Sequence, residues 1–451
     1  MKKAGKLRVR YFLAFWLFVV SAVAFLDRTN ITIAGLQIRH EYGMDNQELG
    51  AIFSAFLIGY AGLQIPAGWL AARFGPRMVL TLGVLVWGVT TAATGMLPAS
   101  LSHALLILFL LRFFLGTSES VVYPAANQFM ARWVPMNERG FINGLIFAGV
   151  GAGSGLTPPL LNWLVTRHGW RSAFWFSALL GFAAAAVWWK TSRDTPRQHP
   201  AIARAELREI EEGLPPAAKS GPRQRPKILW GAMFRRGDLL ALMASYFSFG
   251  YIAWIFFSWF FLYMAQARGV NLRSSADYAM VPFLSMTVCC LAGGAISDAL
   301  TRRLGLRVGR CGLAAAALAL TAVCLVLGSG LRDARMAGIV LAAGAGALYL
   351  AQSSYWSVSV DISGENTGVF SSIMNMGGQI GGAVTASLTP WIAQRYGWTT
   401  SFAIAAALAV GSAALWLTIR PDRPLQAAPE AVLAVAADLA AVAPNREEAG
   451  E

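Results

Sequence analysis

Gly68-Trp69-Leu70-Ala71-Ala72-Arg73-Phe74-Gly75-Pro76-Arg77 is followed, 226 residues later (294 minus 68), by Gly294-Ala295-Ile296-Ser297-Asp298-Ala299-Leu300-Thr301-Arg302-Arg303. Gly68 and Arg77 recur as Gly294 and Arg303, and Asp298 stands where the first copy has Ala72. Beyond these segments, Gly140, Gly149, Gly153, Gly169, Trp170 and Phe174 recur as Gly368, Gly377, Gly381, Gly397, Trp398 and Phe402, each 228 residues later (368 minus 140). So many matches at nearly one spacing mark a duplication, and the chain divides into two halves.

Each half is too apolar to live in water. Of 451 residues, 56% are hydrophobic and 13% charged, too little charge to coat a soluble protein of this size. Apolar stretches of about 20 residues, enough to cross about 30 Å of hydrocarbon, recur with short polar breaks. They fall near 11–34, 48–71, 77–97, 103–125, 140–164 and 171–190, then near 238–264, 277–299, 309–330, 334–358, 367–391 and 399–420. The expected fold is an all-α polytopic membrane protein with twelve transmembrane helices in two six-helix repeats: bundles at 1–190 and 237–420, a linker at 191–236 and a tail at 421–451. The linker holds an amphipathic helical stretch around Ala203 to Glu212. In the tail, the apolar run 429–443 is short and interrupted by Glu430 and Asp438, so it is not a thirteenth crossing.

The net charge of +14 could suggest nucleic acid, but the 37 Lys and Arg residues alternate by side: 27 flank one set of loops, eight the other, and two lie inside spans. This inside-positive asymmetry places both termini and the linker in the cytoplasm, with no nucleic-acid partner. Lys2 to Arg10 followed by an apolar run and Ser21-Ala22-Val23-Ala24 resembles a secretory signal, yet the Asp27-Arg28 pair and the charge count favour a retained first span. Cys289, Cys290, Cys311 and Cys324 all fall in spans, where thiols pack as apolar groups, so neither a disulfide framework nor a metal site is expected.

Two six-span repeats entering the membrane from the same side are related by an axis along its normal, with a cavity between them that rocking can expose alternately. Four charged residues lie well inside spans: Asp27, Arg28, Arg112 and Glu119. A charge at that depth costs about 2.5–3.5 kcal/mol on insertion scales and persists where it faces a cavity or a partner. Arg112 and Glu119 are two turns apart on one helical face, about 10 Å along the axis. Asp27 and Arg112 fall at similar depths and can pair, leaving Glu119 deeper. These residues serve either as structural salt bridges or as proton carriers, Asp27 and Glu119 being acids able to choose between a proton and a cation. No His lies within a span to compete for that role. Arg28 offers a planar fork for a substrate carboxylate. In the second half Trp254, Tyr349, Gln352, Ser353, Tyr355, Trp356, Asn375 and Gln379 are polar or aromatic groups within spans, and Asn375 and Gln379 share one face four residues apart. No nucleophile–base pair, phosphate loop or metal cluster suggests an enzyme or a bound cofactor.

Gly68 to Arg77, with its second copy at Gly294 to Arg303, resembles the loop motif of the major facilitator superfamily, where Gly68, Arg73, Arg77, Asp298, Arg302 and Arg303 would serve gating; Ala72 replaces the usual acid. Leu26-Asp27-Arg28-Thr29-Asn30, Phe53-Ser54-Ala55-Phe56 with Tyr60, Gln64-Ile65-Pro66, and Arg112 to Pro124 are similar to the anion:cation symporter family, above all to its bacterial importers of galactonate, hexuronates, glucarate and tartrate. The resemblance implies a bacterial inner-membrane symporter, driven by the proton gradient and monomeric, that imports a small organic anion such as a sugar acid. It implies protons on Asp27 and Glu119, substrate on Arg28, Tyr60, Trp356, Asn375 and Gln379, and Arg112 at the site paired with an acid. Where galactonate-type members carry a Gln in helix 5, this chain has Val150, which leaves room for a different hydroxyl pattern or an aromatic acid. An importer of an aromatic or dicarboxylic acid, an exporter and a non-transporting nutrient receptor are the rival readings.

Overall fold

The computed structural model describes residues 8–214, 230–270 and 272–425, so the tail run 429–443 lies outside the described residues. In chain order the helices of the first half are α1 (Val9–Tyr42), α2 (Asn46–Gly62), α3 (Gln64–Phe74), α4 (Pro76–Met96), α5 (Ala104–Glu119), α6 (Val122–Trp133), α7 (Arg139–His168) and α8 (Trp170–Thr191). The linker carries α9 (Arg204–Gly213) and the short α10 (Trp230–Phe234). The second half comprises α11 (Gly237–Ser258), α12 (Phe260–Leu262), α13 (Leu272–Leu306), α14 (Leu313–Gly330), α15 (Ala334–Leu350), α16 (Gln352–Ser363), α17 (Thr367–Tyr396) and α18 (Trp398–Thr418).

Nine stretches among the described residues are long and apolar enough to cross a membrane, and α2 with α3 forms a further crossing bent by 45°. Two of the nine, Met280–Gly330 and Ala334–Tyr396, run to 51 and 63 residues and each holds two crossings, separated where Gly305 (φ 84°) and Gly364 (φ 52°) take conformations that other residues resist. Ten stretches among the described residues, two of them long enough for a pair of crossings, are compatible with the twelve expected from hydropathy. The helix breaks have local causes. Pro66 and Pro124 lack the N–H that would bond the carbonyl four residues back, at Gly62 and Ser120, and the chain breaks at Leu63 and between α5 and α6. Single spans thereby become paired helices whose junctions lie at membrane depth.

The duplicated glycines meet each other. A Cβ built on Gly68 would stand 2.2 Å from the carbonyl oxygen of Gly368, and one on Gly294 would stand 2.3 Å from that of Gly140. Positions equivalent in the two halves therefore form two equivalent crossings, α3 over α17 and α13 over α7, at which only hydrogen can stand between the backbones. Both crossings lie on the face that carries the linker. On the same face Glu206 of α9 accepts hydrogen bonds from the backbone N–H groups of Val9 and Arg10 at 3.1 and 3.0 Å, and Arg236 donates to the carbonyl of Arg423 at 2.6 Å, so both described chain ends and the linker gather there.

Candidate functional site

α1 brings Arg28 to the boundary between the halves, and α5 ends at Glu119, opposite it. Nε of Arg28 donates to Oε2 of Glu119 at 2.6 Å; the Glu119 side chain is fully buried, whereas that of Arg28 keeps 13% exposure toward the cavity. The guanidinium also lies over three rings, 4.6 Å from the centre of Phe25, 5.4 Å from Phe56 and 4.7 Å from Tyr60. Nη2 of Arg28 and Oε1 of Glu119 have no hydrogen-bond partner among the described residues, so neither group spends its full bonding capacity on the pair.

Asp27 faces away from Arg28, as consecutive helical residues must. Its Oδ1 accepts from Asn30 Nδ2 at 2.9 Å and its Oδ2 from Thr91 Oγ1 at 2.8 Å, while Asn30 also donates to Ser177 at 2.7 Å. This ties α1 to α4 and α8. The pairing of Asp27 with Arg112 expected from depth takes a looser form: no ion pair within 4.0 Å joins them among the described residues, and the hydrogen bonds to the oxygens of Asp27 come from the neutral donors Asn30 and Thr91. Arg112 is buried, lies 5.2 Å from the centre of the Phe56 ring, and acts on Asp27 only through space. The direct ion pair is instead Arg28 with Glu119, a partnership that depth along the separate helices did not reveal.

A cavity between the halves is lined from the first half by Phe25, Arg28, Tyr60, Tyr123, Phe147 and Val150. From the second half come Tyr246, Phe249, Trp254, Phe257, Tyr349, Gln352, Asn375 and Gln379. Of the residues expected to touch substrate, Arg28, Tyr60, Asn375 and Gln379 line it. Trp356 and Arg112 do not: Trp356 sits one layer back, its Nε1 donating to the Tyr246 hydroxyl at 3.1 Å and its ring 4.7 Å from that of Phe147. Gln352 donates to the same hydroxyl at 3.0 Å, making Tyr246 the hub of the polar wall. Asn375 reaches across to the Tyr60 hydroxyl at 3.5 Å. Tyr123 and Tyr246 were not singled out from the sequence, where an aromatic within an apolar run is indistinguishable from packing.

The two glycine crossings close the cavity on the linker face and are sealed differently. At the α13–α7 crossing, Asp298 accepts from the backbone N–H groups of Gly140 and Phe141 at 2.9 and 2.6 Å and pairs with Arg310 at 2.7 Å. Arg139 pairs with Asp361 at 2.6 Å across the halves, and Arg302 donates to the carbonyl of Asn137 at 3.2 Å. At the α3–α17 crossing the place of the acid is held by buried Ala72, and Gln128 of α6 substitutes: its Oε1 accepts from Gly368 N–H at 2.7 Å and its Nε2 donates to the carbonyl of Glu365 at 3.0 Å. Of the residues assigned to gating, Gly68, Asp298 and Arg302 reach across the halves. Arg73 is exposed and packs on its own neighbours Trp69 and Phe74, Arg77 bonds to Trp189 of the first half and Asp194 at the start of the linker, and Arg303 is exposed.

The family model described as Major Facilitator Superfamily matches residues 17–386. A probable sulfoacetate transporter of Cupriavidus necator is 32% identical over 401 residues, covering 88% of this chain and 91% of that protein. A probable galactarate/D-glucarate transporter of Bacillus subtilis is 31% identical over 304 residues, covering 66% of this chain and 67% of that one. Among solved structures, a proton:xylose symporter superposes with a TM-score of 0.70 at 14% identity, covering 92% of this chain and 97% of that one. The Escherichia coli fucose:proton symporter gives 0.69 at 14% identity, covering 91% and 98%. With the family model spanning most of the sequence and the fold shared end to end, this chain is a member of the major facilitator superfamily, a multi-pass membrane transporter and not an enzyme.

Proposed function

We propose that this protein imports a small organic anion, in the first instance a sugar acid, together with protons, by alternating access in a bacterial inner membrane with both termini cytoplasmic. The observation that carries the reading is the Arg28–Glu119 pair at the cavity wall. While Glu119 is ionised it holds Arg28, and a substrate carboxylate has to compete with it. A proton on Glu119 cancels that claim and frees the guanidinium fork for a bidentate carboxylate contact. Proton and anion thus arrive together because each removes an obstacle to the other. Asp27, held by neutral donors with the charge of Arg112 nearby, is the second acid of the pathway. Gln352, Asn375, Gln379 and the Tyr60 and Tyr246 hydroxyls supply neutral partners for substrate hydroxyls, and the rings supply a surface for a flat sugar face or an aromatic body. The named relatives that carry sugar acids and sulfoacetate support the anion, and the symporters sharing the fold support the proton.

The test is uptake into liposomes holding the purified protein under an imposed inward proton gradient. Accumulation of radiolabelled galactonate or a competing hexuronate above its external concentration, abolished by a protonophore, is the expected result. Uptake that never exceeds equilibration contradicts proton coupling.

A further inference from the structure

The cavity is uneven in charge. Among its described lining residues Arg28 is the one cation. The other cation within a span, Arg112, is 3% exposed and does not line the cavity. Across from Arg28 the wall consists of the neutral groups of Tyr246, Gln352, Asn375 and Gln379 set among the rings of Phe249 and Trp254. Such a wall satisfies hydroxyls, but a second carboxylate there would be stripped of water and left without a counter-charge, the costly case for a buried ion. Ring faces are themselves electronegative and worsen it. Once a proton neutralises Glu119 while Asp27 stays ionised to balance Arg112, the site holds one uncompensated positive charge, and one carboxylate balances it.

Building on the anion-import reading, we infer that the site selects monocarboxylates and discriminates against dianions. Aldonates, hexuronates and aromatic monoacids fit, whereas aldarates and sulfoacetate, which carry two negative charges at neutral pH, do not. The chain would thereby differ in substrate charge from the relatives named for galactarate, glucarate and sulfoacetate.

The test compares matched pairs at pH 7 by thermal stabilisation of the purified wild-type protein: galactonate against galactarate, and benzoate against phthalate, with monomethyl phthalate as a control that keeps the bulk and removes one charge. In whichever pair binds, the monoacid should bind about tenfold tighter or more, and the ester should recover most of the affinity lost by phthalate. Gln379→Arg, which adds a cation to the neutral wall, should narrow the ratio to about threefold or less by raising the affinity for the dicarboxylate, whatever it costs the monoacid. A dicarboxylate that binds wild type as tightly as its monoacid, or a ratio unmoved in a Gln379→Arg protein that still binds the monoacid, overturns the inference and leaves anion import standing. Failure of all five compounds to bind overturns the anion reading and this inference with it.

Discussion

Arg28 meets two demands at once, pairing with Glu119 at 2.6 Å while keeping part of its guanidinium toward the cavity. Lysine keeps the charge but not the fork, so Arg28→Lys should lower uptake by about tenfold or more with little change in melting temperature; unchanged substrate affinity would remove Arg28 from the binding site. Asp27 sits beside it in sequence yet belongs to a different cluster, and Asp27→Asn should weaken the tie to Thr91 and leave Arg112 with a poorer electrostatic environment. The four charges were legible in the sequence as candidates, since each stands out in an apolar run. Their partnership was not, because the rotation of α5 within the bundle decides it, and that rotation depends on packing such as Gly116 against the backbone of Phe56 in α2. The same limit hid Tyr246, whose role as a hydrogen-bond hub exists only once α11 meets α16.

Helices in this protein cross where glycines of the two repeats coincide, and the repeat spacing made those glycines readable in advance. The seal at each crossing was only half readable. Asp298 stands out as the motif's acid, whereas nothing in the motif points to Gln128, which reaches the Gly368 N–H from α6. Gln128→Ala removes that bond and the one to the Glu365 carbonyl, about 1 kcal/mol or more of closed-state stabilisation. Alkylation from the linker face of a cysteine placed at Ser372 should then speed up about fivefold. Adding Ala72→Asp should reverse much of this, because a carboxylate there occupies the position equivalent to Asp298; no effect of Gln128→Ala on accessibility would show that the crossing is sealed by the glycines alone. The linker helix α9 has a separate duty, capping α1 through Glu206 and pairing Glu209 with Arg8 and Arg10. Glu206→Ala should cost about 1–2 kcal/mol, seen as a lower melting temperature in detergent, by leaving first-turn N–H groups unpaired. Hydrogen bonds from Arg10 and Arg8 hold the Glu209 carboxyl below its ordinary range, so its contribution is full above that ordinary range and is lost progressively as pH falls from there through the lowered value.

At the scale of the whole molecule, the crossings at Gly68–Gly368 and Gly140–Gly294 close the cavity toward the linker, and a transport cycle must part them together while the far side shuts. The six-plus-six architecture was legible because hydropathy, charge asymmetry and the repeat all report it independently, whereas the closure state depends on the balance of contacts between halves, which no local pattern encodes. In the proposed coupling, Glu119 must take a proton before Arg28 is free to hold the anion. Glu119→Gln imitates the protonated acid permanently, and the measurement is to reconstitute it in liposomes and compare substrate accumulation under an imposed proton gradient with exchange of labelled for unlabelled substrate at equal pH. Exchange at or near the wild-type rate and no gradient-driven accumulation are expected. Full accumulation by Glu119→Gln would contradict the coupling.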